Sequence, residues 1–130
     1  KTFFVSKSLK RKAKKYLKVL PKDVTCLASS GSSGVAIASA MLVLSKRKLK
    51  HWYIRKPKEG SHGGYYAGLH NSKDIFAIVD DFISSGTTVN RIINIIKQNY
   101  SIKKIKCVIV TYDNSEGTIT KKGIKIIETK

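Results

Sequence analysis

Acidic residues are scarce in this chain. Its 130 residues include 8 Asp and Glu against 26 Lys and Arg, a formal net charge of +18 at neutral pH. That imbalance argues against cationic partners and points to anionic ones: phosphates, nucleic acid or an acidic surface. Cysteine is nearly absent as well. Cys26 and Cys107 form no C-x-x-C pair, and each lies within an apolar, strand-like run. A disulfide framework is therefore not expected, and buried free thiols in a reducing cytoplasm are. The three histidines, His51, His62 and His70, make neither H-x-H nor H-E-x-x-H, so no dedicated zinc site is expected. No apolar run reaches the roughly 18 residues of a membrane span. The opening, KTFFVSKSLKRK, lacks the long apolar stretch and small-residue site of a secretory leader, and a cytoplasmic location is expected. It also lacks an initiator Met, as a processed or excised chain would.

What is present fits a single globular domain, 1–130, with 42% hydrophobic residues, enough for a core without a staple. The positive charge is unevenly spread. Residues 1–22 hold nine Lys or Arg and no acid, and residues 46–58 hold seven more. The segment 1–23 predicts a basic N-terminal helix. SLKRKAKKYLKVL places Leu9, Ala13, Tyr16, Leu17 and Leu20 on one face, lysine and arginine on the other, and Pro21 at its end. VTCLAS (24–29) reads as a buried strand, SGSSG (30–34) as a tight turn, and VAIASAMLVLSK as an apolar helix. HWYIR (51–55) reads as a short strand whose Trp52 and Tyr53 pack without chemistry. IFAIVDD (75–81) is a further strand, then a helix carrying Val89, Ile92, Ile93, Ile96 and Tyr100, then strands IKCVIVTYD and GIKIIET. Between them, 56–73 is long and glycine-rich, and only YYAGL within it could pair as a strand. Apolar strands alternating with helices predict an α/β fold, a mostly parallel sheet with helices on both faces. Ligands of such sheets sit beyond the carboxyl ends of the strands, and both turns before helices, 30–34 and 82–88, fall on that edge.

Two adjacent acids close the apolar strand at Asp80-Asp81. Burying both uncompensated would be costly, so they are expected to face solvent, a ligand or a metal. The turn Ser84-Ser85-Gly86-Thr87-Thr88 then opens a helix, offering unpaired N–H groups, hydroxyls and a glycine that lets backbone approach a ligand. This is a phosphate cradle without the spacing of a Walker A loop. Carboxylates accept hydrogen bonds from vicinal hydroxyls, so the unit reads as a grip on a ribose 5-phosphate. The plainer alternatives are a polar strand end with an ordinary helix cap, a flexible Ser-Gly turn at 30–34, and a solvated basic face at 55–58.

IFAIVDDFISSGTT resembles the phosphoribosyl pyrophosphate (PRPP) signature of the type I phosphoribosyltransferases: apolar strand, two acids, two mostly apolar residues, then hydroxyls around a glycine. The order of elements extends the likeness over roughly 24–113. The resemblance implies a type I phosphoribosyltransferase-like core with a minimal hood, for which 1–23 and 114–130 remain. It implies that Asp80 and Asp81 hold the ribose hydroxyls, that Ser84, Ser85, Gly86, Thr87 and Thr88 hold the 5-phosphate, and that Ser30, Gly31, Ser32, Ser33 and Gly34 face the diphosphate. IRKPKEGSHGG is similar to the family's mobile loop, most like that of the orotate and adenine enzymes. In that role Arg55, Lys56 and Lys58 would close over the diphosphate, and His62 is a loop residue rather than a general base. Ser33-Gly34 stands where orotate enzymes often have Lys-Gly, and Pro57 interrupts the loop's basic residues. The acceptor base is therefore left open.

The implied activity is Mg²⁺-dependent transfer of 5-phosphoribosyl from PRPP to a nucleobase with release of pyrophosphate. Mg²⁺ would be held mainly by ligand oxygens. Tyr112, Asp113 and Asn114, after a strand on the ligand edge, are candidate base contacts. Some proteins resembling this family sense PRPP or nucleotides and bind RNA, and the basic first helix suits that alternative. Members are often dimers, which puts a homodimer among the partners to consider.

Overall fold

The computed structural model describes residues 6–55 and 70–130. In chain order the elements are α1 (Lys7–Val19), β1 (Cys26–Ser29), α2 (Ser32–Leu44), β2 (Lys50–Tyr53), β3 (Phe76–Val79), β4 (Phe82–Ile83), α3 (Thr87–Asn99), β5 (Ile105–Val110), β6 (Tyr112–Asp113) and β7 (Lys125–Glu128). Single 3₁₀ turns lie at Ile102–Lys104 and Thr120–Lys122. Five strands form a sheet in the order β2-β1-β3-β5-β7, every pairing parallel, and β4 pairs with β6 in a separate two-stranded ribbon.

The central strands CLAS and FAIV are buried at every position, as a parallel sheet covered on both faces requires. Helices α1 and α2 cover one face. Ala13, Tyr16 and Leu20 of the first helix region pack with Ile37, Ala38 and Met41 against Leu27, Ala77, Val79 and Ile109. Helix α3 covers the other, with Val89, Ile92, Ile93 and Ile96 packed on Ala28, Ile78, Val108 and Val110. Each helix follows its sequence. In α1, the Leu9 N–H donates to the Ser6 side chain at 3.2 Å, and the helix stops just before Pro21. The α3 stripe recurs every three to four residues, placing its isoleucines on one side.

Several boundaries differ from the sequence reading. The strand expected over 75–81 ends at Val79, and after the two aspartates a short strand β4 begins. The strand expected over 105–113 breaks at Thr111, whose N–H donates to the Asp81 carbonyl rather than continuing the β5 ladder. The turn expected over 30–34 is shorter, because Ser32, Ser33 and Gly34 are already the first turn of α2. YYAGL lies outside the described residues. Trp52 stacks on His70 with ring centroids 3.7 Å apart, joining the ends of the described chain on either side of 56–69. Cys26 and Cys107 are free and buried, and burial pushes their thiols up to about 12 and about 11. Both are thus neutral, unreactive core residues. Among the described residues, no helix is long and apolar enough to cross a membrane.

Candidate active site

Strands β1 and β3 are neighbours, and the chain leaves them in opposite directions. From β1 it crosses through α2 to β2 at one side, and from β3 through α3 to β5 at the other. A crevice must open between their carboxyl ends. Both helices begin there. Their N-caps are Gly31 (φ 84°) and Gly86 (φ 94°), left-handed backbone that glycine tolerates and other residues rarely adopt. Neither cap supplies a side-chain hydrogen bond, and neither first turn contains an acid. Both N-termini therefore present unsatisfied N–H groups and positive dipole ends to one crevice. A hollow of about 110 Å³ lies over Ser84–Thr88, and one of about 220 Å³ over Ser30–Ser33. They share Asp80, Phe82 and Thr88, so they form two compartments with the carboxylate of Asp80 between them. Helix α2 approaches β3 closely: a Cβ on Gly34 would sit 2.9 Å from the Val79 carbonyl oxygen and 3.4 Å from Asp80 Oδ1.

The aspartates are held from below. Asp80 N–H donates to the Ile109 carbonyl at 3.1 Å, and Asp80 Oδ1 accepts from Asp81 N–H at 2.8 Å. Tyr16 O–H donates to the Asp80 carbonyl at 2.6 Å and lies 3.0 Å from Thr111 Oγ1. Burial, together with the charges of Asp81 and Asp80, pushes the Tyr16 phenol up to about 12, so it stays a donor. Lys12 Nζ pairs with Asp81 Oδ1 at 2.6 Å, both side chains about one-third exposed. Lys12 and Tyr16 are four residues apart on α1 and share its inward face. The first helix, expected to leave its lysines in solvent, thus contributes one of them to the site. Among the described residues no three His, Cys, Asp or Glu side chains gather as a metal cage.

The same architecture occurs in solved phosphoribosyltransferases. The orotate phosphoribosyltransferase of Mycobacterium tuberculosis in complex with PRPP superposes with a TM-score of 0.73 and 11% identity, covering 93% of this chain and 69% of that one. The Francisella tularensis orotate enzyme gives 0.75 and 19%, covering 96% and 67%. The adenine phosphoribosyltransferase of Thermoanaerobacter pseudethanolicus gives 0.68 and 13%, covering 95% and 80%. This is the type I phosphoribosyltransferase fold. No family model matches the sequence, and no curated protein does.

Within the type I phosphoribosyltransferase fold, the expected site residues fall as follows. Asp80, the turn after β3 and the turn after β1 converge on the crevice, whereas Asp81 lines an adjoining hollow with Lys12 and Ser33. Ser84 and Ser85 are exposed, and the Ser85 and Thr87 hydroxyl oxygens lie 2.9 Å apart. Ser30 is buried and accepts from the Arg91 guanidinium. Arg55 is exposed just beyond β2, whereas Lys56, Lys58 and His62 lie outside the described residues. Tyr112 and Asp113 do not simply follow a strand but form one, β6. Tyr112 is 54% exposed and faces Phe82, 46% exposed, across the ribbon. Asp113 is less available than its position implied, since its Oδ1 accepts from Ser115 N–H at 2.8 Å and Ser115 O–H at 2.5 Å. Asn114 N–H donates to the Ile83 carbonyl. Sequence reasoning missed Lys12, Tyr16, Phe82 and Arg91. For the first two the only sequence signal was their i, i+4 spacing.

Proposed function

We propose that this protein is a phosphoribosyltransferase that binds PRPP with Mg²⁺ and transfers its 5-phosphoribosyl group to a nitrogenous base, releasing pyrophosphate. One observation carries the reading: two helix N-termini without side-chain caps flank the strand end that carries Asp80 and Asp81, at the switch point of the sheet. The turn Ser84–Thr88 would bind the 5-phosphate through backbone N–H groups and hydroxyls, and Ser30–Gly34 the diphosphate. Asp80 and Asp81 would accept from the ribose hydroxyls between them. In the reaction the C1–oxygen bond to diphosphate breaks and the electron pair leaves with the diphosphate. A base nitrogen then forms the new bond to C1, and the proton that nitrogen carried in a purine or pyrimidine leaves to solvent. Positive charge develops on the sugar and negative charge on the leaving group, so fixed electrostatics serve better than a protein nucleophile. Mg²⁺, bound with the ligand, would screen the diphosphate charge, and Asp80 and Asp81 would be the carboxylates to assist in holding it. Phe82 and Tyr112 offer aromatic faces to a base at the rim of the crevice.

The test is pyrophosphate release from PRPP and Mg²⁺ with purine, pyrimidine and pyridine bases offered singly. Release that depends on one base is expected and names the acceptor. No release with any base, while PRPP still raises the melting temperature, would favour a second reading. In it the protein is a PRPP- or nucleotide-binding regulator that holds RNA or DNA. The observation behind that reading is the outward face of α1, where Lys7, Lys10, Arg11, Lys14, Lys15 and Lys18 are exposed with no acid among them. Its signature is nucleic-acid affinity that falls steeply with salt.

A further inference from the structure

We propose that Arg91 is a positioning residue for the diphosphate end of the ligand, acting through the Ser30 hydroxyl. The assignment rests on the PRPP reading above. Arg91 lies one turn into α3, yet its Nη2–H donates to Ser30 Oγ, 2.5 Å away, in the turn that follows β1. The contact ties the element that builds one compartment to the element that builds the other. No other hydrogen bond of the Arg91 guanidinium falls among the described residues. Its Nε is buried with no hydrogen-bond partner, and no carboxylate pairs with it among the described residues. Buried unpaired donors are rare in folded proteins and call for a reason. A guanidinium fork matches carboxylate or phosphate geometry. Among the described residues, the only hydrogen-bond partner of the Arg91 fork is a neutral hydroxyl.

The state of that hydroxyl gives the reason. Ser30 Oγ accepts from a cation, so its own proton remains to be given, and it has no other hydrogen-bond partner among the described residues. Accepting from a charged donor polarises the O–H and makes it a stronger donor in turn. Ser30 borders the 220 Å³ hollow with Gly31, Ser32 and Ser33. An anion seated there supplies the acceptor. Neither Ser30 nor Arg91 lines the hollow over Ser84–Thr88, which separates this role from 5-phosphate binding. Arg91 thus holds one donor of the diphosphate compartment in place and lends it charge.

Calorimetric titration of the whole chain with pyrophosphate, ribose 5-phosphate and PRPP, each with Mg²⁺, tests this. Arg91→Gln should weaken pyrophosphate and PRPP by about 10–100-fold, the scale of a lost charge-assisted contact. Ribose 5-phosphate should stay within about 2-fold, because its compartment does not include Arg91. Ser30→Ala should weaken pyrophosphate in the same direction and add nothing in the Arg91→Gln background. Arg91→Lys keeps the charge without the fork and carries the same comparison if Arg91→Gln does not fold. Equal loss of all three ligands, or unchanged pyrophosphate affinity in the single variants, would reduce Arg91 to a strut and overturn the inference alone. A wild-type protein that binds none of the three would overturn the PRPP reading, and the inference with it.

Discussion

Gly34→Ala is the substitution most sensitive to how closely α2 docks on β3. Elsewhere in a helix the change would stabilise by roughly 0.5–1 kcal/mol, because alanine loses less backbone freedom on folding. Gly34 has no positive φ, so alanine meets no conformational obstacle. The obstacle is steric. The new Cβ would lie 2.9 Å from the Val79 carbonyl oxygen, in a strand held on both sides by β1 and β5. A backbone oxygen there cannot rotate away as a side chain would, so α2 must withdraw. Overpacking of this kind costs roughly 1–3 kcal/mol. Set against the helix gain, the net is a loss of up to roughly 2.5 kcal/mol, or up to about 9 °C in melting temperature for a domain of this size. The withdrawal carries Ser32 and Ser33 with it and shifts the donors of the hollow proposed to hold the diphosphate. PRPP affinity should therefore fall by about 10-fold or more, more than the stability loss implies. Thermal unfolding and calorimetric titration with PRPP and Mg²⁺ measure both. A higher melting temperature with unchanged affinity would show that the close approach neither constrains the helix nor shapes the site.

Asp80→Asn with Asp81→Asn should abolish PRPP binding while far-UV circular dichroism stays native, and should leave affinity for metal-free pyrophosphate equal or tighter, since negative charge has been removed. A folded double variant that binds PRPP normally would refute the ribose assignment. Tyr16→Phe leaves the Asp80 carbonyl without its 2.6 Å donor and should lower the urea unfolding free energy by roughly 1–2 kcal/mol, an unchanged midpoint counting against it. Burial raises the Asp74 carboxyl, but hydrogen bonds from Lys50, Thr25 and Asn71 N–H outweigh it and hold its pKa below the ordinary carboxylate value. A depressed folded pKa contributes stability above about pH 4 that is lost as pH falls through the folded value. Urea midpoints at pH 5 and pH 3 should therefore differ less in Asp74→Asn than in wild type, and equal differences would contradict the assignment.

The sheet was legible because burial on both faces forces near-continuous apolar runs, and CLAS, FAIV and CVIV stand out against a basic background. The carboxylate pair was legible for a related reason: two acids can end a buried strand only where something outside the core receives them. Lys12 was not legible. Along α1 it is one lysine among several, and only the packing of Tyr16 onto Asp80 decides which of them turns inward, across 69 residues of chain. Arg91 was hidden in the same way, on an amphipathic helix whose polar side reads as solvent until the turn after β1 is placed against it. The ribbon of β4 and β6 was missed because two-residue strands have no period to detect. Asp113, expected as a base contact, follows β5 beyond its carboxyl end, but the side chain of Ser115, two residues on, takes one of its oxygens.

Positive charge alone cannot account for the site. A chain of net charge +18 attracts polyanions over much of its surface, and two open helix N-termini would bind phosphate with little discrimination. Asp23, Asp74 and Asp81 each pair with a lysine, which shows how readily an acid is neutralised in this setting. On the PRPP reading, Asp80 and Asp81, whose combined charge Lys12 offsets only in part, would work against affinity for a bare polyanion. They would favour a ligand that brings phosphates to both ends and neutral hydroxyl donors to the middle. Phosphate on either side of a ribose meets that description, whereas pyrophosphate alone does not. On that reading, the acids that weaken general anion binding would be the residues that give the crevice its selectivity.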